Sequence, residues 1–204
     1  SAFEKGKDLY YLKPANSGVS YYLARPRIPK RLDVFFNFTY SALPELFKML
    51  KAFSEEHKDV DIQIHFLAVH NKEGSLISQG PTWELDEFRR EASIAELYPK
   101  SLWDYLVCRA MQSDAGQWEE CAKLAQIDPA RVQEFTISSK GVEAMNQKIK
   151  LTEELQVAIG PTIIIDNKEV VGLVKVPSLE EFENAALGDQ GKKEVISSKN
   201  KKKK

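Results

Sequence analysis

Gly160-Pro161-Thr162 leads into three isoleucines, a polar turn at Asp166-Asn167-Lys168, and a second short run, Glu169-Val170-Val171, that closes on Gly172. Two short apolar or β-branched runs separated by a polar turn predict a β-hairpin over about 162–172. Proline has no N–H, so a strand entered through one leaves an edge open beside it, able to face a bound chain or an active site. The Gly160–Pro161 bond is expected to be cis, since X-Pro is the one linkage at which that isomer is cheap. A hairpin entered this way needs an existing sheet to join, and the sequence upstream supplies one.

Leu32–Phe38 is an apolar run of strand length, as a central strand buried on both faces requires. Pro44–His57 carries an apolar stripe of Leu46, Phe47, Leu50 and Phe53, with Pro44 in the first turn, where proline is tolerated. Val60–Val69 alternates and then turns fully apolar, which predicts a second central strand. Strand, helix, strand makes a βαβ unit with a parallel pair. Helical patterns follow over Trp83–Leu97, Ser101–Gln112, Gln117–Gln126, Pro129–Phe135 and Val142–Val157, punctuated by Pro81, Pro99, Gly116 and Pro129. After the hairpin, Ser178 and Glu181 form a capping box for a helix over Ser178–Leu187. Gly18–Leu23 is a candidate leading edge strand. The expected organisation is an extension over 1–30, a body over 31–187 with a helical insertion at about 75–140, and a disordered tail over 188–204.

The 204 residues carry a net charge of −1, but the segment from Gly188 holds seven lysines against two acids, leaving −6 on the body. A mildly acidic body with no basic stripe argues against nucleic acid as a partner. The lysine-rich tail is a candidate for contact with an anionic surface. No apolar run is long enough to cross a bilayer, and no N-terminal signal pattern is present. The two cysteines, Cys108 and Cys121, each lie about four residues from the turn Ser113-Asp114-Ala115-Gly116. An antiparallel helical hairpin sets them opposite one another within disulfide reach. The alternative is two small buried hydrophobes. A disulfide favours an oxidising compartment, hence a periplasmic or secreted mature chain, with a cytoplasmic one left open.

In element order the chain resembles the thioredoxin fold with the helical insertion of the DsbA-type thiol oxidoreductases, over roughly 31–187. The likeness rests on Val34-Phe35-Phe36-Asn37-Phe38 before the first helix, the place of the insertion, Gly160-Pro161-Thr162, and Gly172 closing the hairpin. It implies an α/β fold and a Cys-x-x-Cys at the start of that helix. Here those positions read Tyr40-Ser41-Ala42-Leu43 or Ser41-Ala42-Leu43-Pro44. Dithiol exchange needs a thiolate with a lowered pKa, and neither register offers one. The resemblance then implies a redox-inactive relative that acts as a protein- or peptide-binding or assembly factor in the cell envelope, with no cofactor and no assigned catalytic residue.

A rival is a glutathione-dependent transferase or isomerase, since kappa-class transferases and hydroxychromene-carboxylate isomerases are similar and use a serine near this helix start. Ser41 is then either a thiol-binding residue or the helix N-cap, accepting from the N–H of Leu43. The usual serine-proline-tyrosine run is missing beside it. A further alternative is thiol exchange through Cys108 and Cys121. The candidate ligand or peptide cleft is Tyr40, Ser41, Gly160, Pro161 and Thr162. His57, His65 and His70, at a helix end, in a strand and at the start of a loop, make no metal pattern. Asn37-Phe38-Thr39 matches a glycosylation sequon but falls in a strand expected to be buried. Glu84, Asp86, Glu87 and Glu91, beside Arg89 and Arg90, read as a solvated, salt-bridged helix face.

Overall fold

The computed structural model describes residues 3–5, 10–12, 25–112, 116–173 and 175–188. Its centre is a four-stranded sheet of β3 (Arg31–Phe36), β4 (Asp61–Phe66), β7 (Thr162–Ile165) and β8 (Glu169–Gly172), in the order β4-β3-β7-β8. The β3–β4 pair is parallel, with Arg31 opposite Asp61 and Phe36 opposite Phe66. β7 runs antiparallel to both β3 and β8. The βαβ unit and the hairpin therefore share one sheet, joined through the β3–β7 pair. β4 is an edge strand among the described residues and not a second central one, because the hairpin docks on the far side of β3. Two short pairs stand apart: β1 (Phe3–Lys5) with β2 (Tyr10–Leu12), and β5 (Ala68–His70) with β6 (Leu76–Ser78). The proposed strand at Gly18–Leu23 and the tail beyond Gly188 lie outside the described residues.

Helix α1 (Leu43–Glu56) links β3 to β4, and its predicted stripe of Leu46, Phe47, Leu50 and Phe53 is wholly buried. Alternation along β3 sends Leu32, Val34 and Phe36 into the main core, with Phe35 on the opposite face. Phe36 meets Phe47, Phe66 and Phe88 edge-on, while Phe66 and Phe88 stack at 4.5 Å. Edge-to-face and offset contacts of this kind add to the free energy of burial alone. On the other face, α6 (Ser139–Leu155) lays Leu151 and Leu155 against Phe35 and Ile164. Thr152 Oγ1 donates to the Phe66 carbonyl at 2.8 Å, satisfying the last oxygen of the edge strand. α6 begins three residues earlier than the apolar pattern suggested. Ser138 accepts from the Gly141 N–H and caps it, an N-terminal signal that outweighs the missing apolar residues.

The insertion holds α2 (Glu84–Leu97), α3 (Leu102–Ala110), α4 (Trp118–Leu124) and α5 (Pro129–Thr136). Ile94, Tyr105, Trp118, Cys121, Ala122, Ala125, Ile127 and Val132 give it a core of its own. A disulfide joins Cys108 of α3 to Cys121 of α4, their Cα atoms 5.5 Å apart, as the helical-hairpin reading requires. A further helix, α7, covers 179–188; Ser178 Oγ accepts from the Glu181 N–H, and Glu181 accepts from the Ser178 N–H.

The charged face of α2 is inverted relative to expectation. Glu84, Glu87 and Glu91 are all fully buried, together with Arg109 from α3. They fall at i, i+3 and i+7, alongside Phe88 and Ala92, so they occupy the inward stripe of the helix. Arg109 Nη2 donates to Glu87 Oε2 at 3.1 Å, the Tyr105 hydroxyl donates to Glu87 Oε1 at 2.6 Å, and Arg90 adds a further bond to Glu87. Only Asp86 and Arg89 behave as read, an exposed pair at 2.7 Å.

Candidate functional site

Register fixes where the proline-led loop lies. Phe35 sits opposite Thr162, so Pro161 and Gly160 continue beside Phe36 and the start of the loop to α1. The Gly160–Pro161 bond is cis. A Cβ on Gly160 would lie 2.5 Å from Leu67 Cδ1 and 3.3 Å from both the Phe35 oxygen and Phe36 Cα. A larger residue there would have to displace the Leu67 side chain and press on the β3 backbone. Thr162 Oγ1 donates to the Ile159 carbonyl at 2.7 Å, tying the loop to the strand it enters. Pro161 is buried, whereas Ile159 stands out with 78% of its surface exposed.

The facing helix start is built differently from the expectation. Ser41 is not the N-cap. Ala42 occupies that position without a side-chain cap bond, and the Leu43 N–H bonds to the Tyr40 carbonyl at 3.1 Å instead. The short turn satisfies the donor that Ser41 would have bound, and Pro44 has none to offer. Ser41 is left exposed. Tyr40 packs its ring against the main core, partly buried. The five expected residues thus come to one end of the sheet, with no hydrogen bond joining Tyr40 or Ser41 to Gly160, Pro161 or Thr162 among the described residues.

Glu84 holds this end in shape. Its carboxylate accepts the Phe38 N–H at 2.6 Å, two residues before Tyr40. Burial raises the Glu84 carboxyl above its ordinary range, against the opposing pull of hydrogen bonds from Phe38, Ser78 and Gly80. A Cβ at Gly80 would come within 2.1 Å of Glu84 Oε2, so the glycine there makes space for the carboxylate. Asn37, 7% exposed, accepts from the Thr39 hydroxyl at 2.8 Å. It follows the last residue of β3 and remains buried, although the strand ends at Phe36.

The recess at this end lies on the other flank of the 159–161 loop. It has a volume of about 540 Å³ between the β5–β6 hairpin and the carboxyl end of α6. Leu67, Val69, Ile77 and Val157 give it an apolar lining, with Asn37 at its inner end. At its rim the His70 N–H donates to Glu153 Oε1 at 2.7 Å, with His70 Nδ1 3.0 Å from the same oxygen. None of the five expected residues lines it. His70 ends β5 and does not begin a loop. The missed element is the β5–β6 hairpin. Its signal was Asn71-Lys72-Glu73-Gly74: the Asn71 side chain accepts from the N–H groups of Glu73 and Ser75, and Gly74 takes a left-handed φ of 80°.

The three histidines sit apart, each against a carboxylate: His57 with Glu183, His65 with Asp33, and His70 with Glu153. Burial works against the charged form of Asp33, but the hydrogen bonds from His65 and Arg31 prevail and hold its carboxyl below the ordinary range.

A βαβ unit, an inserted helical block and a cis-proline hairpin docked on the first strand define the thioredoxin fold with a DsbA-type insertion. Solved structures share it. The oxidoreductase NmDsbA1 from N. meningitidis superposes with a TM-score of 0.59 at 20% identity, over 85% of this chain and 92% of its own. The thiol-disulfide exchange protein alpha-DsbA2 from Wolbachia pipientis gives 0.55 at 14% identity, over 83% of this chain and 92% of its own. A periplasmic thioredoxin-like protein from Salmonella enterica serovar Typhimurium gives 0.55 at 17% identity, over 82% and 93%. No family model matches the sequence, and no curated protein matches it. At these identities the likeness is one of fold.

Proposed function

We propose that this chain is a redox-inactive protein of DsbA-like fold, exported to the periplasm or beyond, that binds an extended segment of a partner protein at the recess beside the 159–162 loop. One observation carries the reading: the helix start at this end offers Tyr40, Ser41, Ala42, Leu43 and Pro44, and the chain's two cysteines are bonded to each other in the insertion. Exchange needs an accessible thiolate, and Cys121 is fully buried. The structural neighbours described as oxidoreductases support the fold and the oxidising compartment, while their chemistry has no thiol here to run on. The recess has the mixed lining of a binding site, apolar walls with a few polar groups at the rim.

Insulin reduction and dithiol-peptide oxidation should stay at the no-protein rate and should not change in Cys108→Ala/Cys121→Ala. Retention of apolar segments on a peptide array should fall at least tenfold in Ile77→Asp and Val157→Asp with melting unchanged. Turnover above the control, lost on replacing either cysteine, would overturn the proposal. A second reading, glutathione binding at Ser41, is favoured by the exposed hydroxyl that caps nothing. It requires conjugation activity that Ser41→Ala abolishes.

A further inference from the structure

At the far end of α1, about 20 Å along a 14-residue helix from the cleft, three donor atoms converge. They belong to Glu56 and His57 at the carboxyl end of α1 and to Glu183 on α7, and all lie within 4.8 Å of one another. His57 Nε2 is 2.8 Å from Glu183 Oε1. The imidazole is 8% exposed and packs on Phe53 at a ring separation of 4.6 Å. Phe53 in turn meets Phe182 edge-on at 5.0 Å. The packing that docks α7 on α1 therefore also aims the imidazole and the carboxylate at each other. Glu56 stands exposed at the rim, with no hydrogen bond or ion pair among the described residues, so its carboxylate is free to swing inward.

We propose that Glu56, His57 and Glu183 form a zinc site that staples α7 to α1. One imidazole and two carboxylates supply three protein ligands, and the exposed rim leaves a fourth position for water, the arrangement of an open zinc site. Zinc–ligand bonds of about 2.0–2.2 Å place tetrahedral donors roughly 3.3–3.5 Å apart. The His57–Glu183 contact thus opens by about half an ångström, and Glu56 closes in. Two carboxylates neutralise the divalent ion, and the imidazole selects against magnesium and calcium, which take all-oxygen shells.

The test is calorimetric titration of zinc chloride into the tag-free, oxidised full-length protein, with thermal melting alongside. One equivalent should bind with a Kd of about 1–10 μM, and saturating zinc should raise the melting temperature by several degrees, as binding to the folded state alone requires. Millimolar magnesium or calcium should leave it unmoved. Glu183→Gln and His57→Gln should each weaken zinc at least tenfold. Glu56→Gln, at an exposed position that cannot compromise folding, should weaken it at least threefold. His70→Gln, which alters a different imidazole–carboxylate pair, should leave zinc affinity as it is. Absence of heat and of a melting shift in the unaltered protein, wild-type affinity in Glu56→Gln and Glu183→Gln, or loss of binding in His70→Gln would each overturn the site and leave a simple His57–Glu183 ion pair.

Discussion

Glu91 gives the sharpest test of the inverted face of α2. Among the described residues neither of its buried carboxyl oxygens has a hydrogen-bond partner, while the neighbouring Glu87 takes the bonds from Arg109, Arg90 and Tyr105. Burial first, and the charge of Glu87 second, push the Glu91 carboxyl well above its ordinary range, with Arg109 and Arg90 pulling the other way. A raised folded-state pKa means that the folded protein binds this proton more tightly than the unfolded chain does. The stabilisation is complete below the unfolded glutamate pKa and is lost as pH rises through the folded one. Glu91→Gln, nearly isosteric and unable to ionise, removes that dependence. Within the window the variant should gain on the wild type by at most about 1.4 kcal/mol per pH unit. The gain should grow until the folded-state carboxyl has titrated and then level off. Near pH 4 the two should agree to within about 1 kcal/mol, the worth of an amide's hydrogen bonds. Urea unfolding at unit steps from pH 4 to pH 8 measures the difference directly. Parallel stability profiles for the two proteins, or a variant that loses ground as pH rises, would refute the reasoning.

The remaining expectations concern stability. Replacing Cys108 and Cys121 by alanine should destabilise the protein by roughly 3 kcal/mol, from the short chain segment the bridge closes, measured by denaturant unfolding without reductant. Gly141→Ala should cost about 1–3 kcal/mol or more, because the new Cβ meets the Phe135 carbonyl oxygen at 2.1 Å; an unchanged melting temperature would show that α5 and α6 can part freely. Asp33 has a lowered folded-state pKa, so its contribution is present above the unfolded aspartate pKa and lost as pH falls through the folded one. Asp33→Asn should therefore destabilise at pH 7 and converge on the wild type in acid, read from the same urea series.

The parts legible in the sequence were those in which one periodicity governs one element. The α1 stripe of Leu46, Phe47, Leu50 and Phe53, the Ser178–Glu181 cap and the β7–β8 hairpin all follow from spacing and turn chemistry acting locally. Cys108 and Cys121 were legible because a short turn leaves two flanking helices few ways to pack. The largest failure is non-local. Glu84, Glu87 and Glu91 share the helical face of Phe88 and Ala92, so the pattern placed them inward, but charge argued outward. Their partner, Arg109, comes from another helix and cannot be read from α2 alone. Ser41 lost its capping role because Tyr40 offers a backbone carbonyl that closes the turn more cheaply. The recess was missed with the β5–β6 hairpin, three-residue strands too short to announce themselves.

These two outcomes meet at Glu84. Seen from the insertion, it is the first of three carboxylates buried along α2; seen from the sheet, it is the acceptor that fixes Phe38 and so the approach to Tyr40 and Ser41. A carboxylate kept dry at this cost, with a raised pKa and a glycine at position 80 to make room for it, holds the loop by the hydrogen bond it accepts from the Phe38 N–H. Such an anchor fixes backbone shape whatever side chains the loop carries. On the proposed redox-inactive reading, thiol chemistry at that loop is lost while the geometry persists, and such a geometry suits recognition. The recess adjoins this anchor at Ser78, which lines its wall and lies near enough to Glu84 to oppose the rise of its pKa. Under the proposed binding role, an extended chain lying across the helix start and the recess would meet a surface shaped at the helix start by this one buried group.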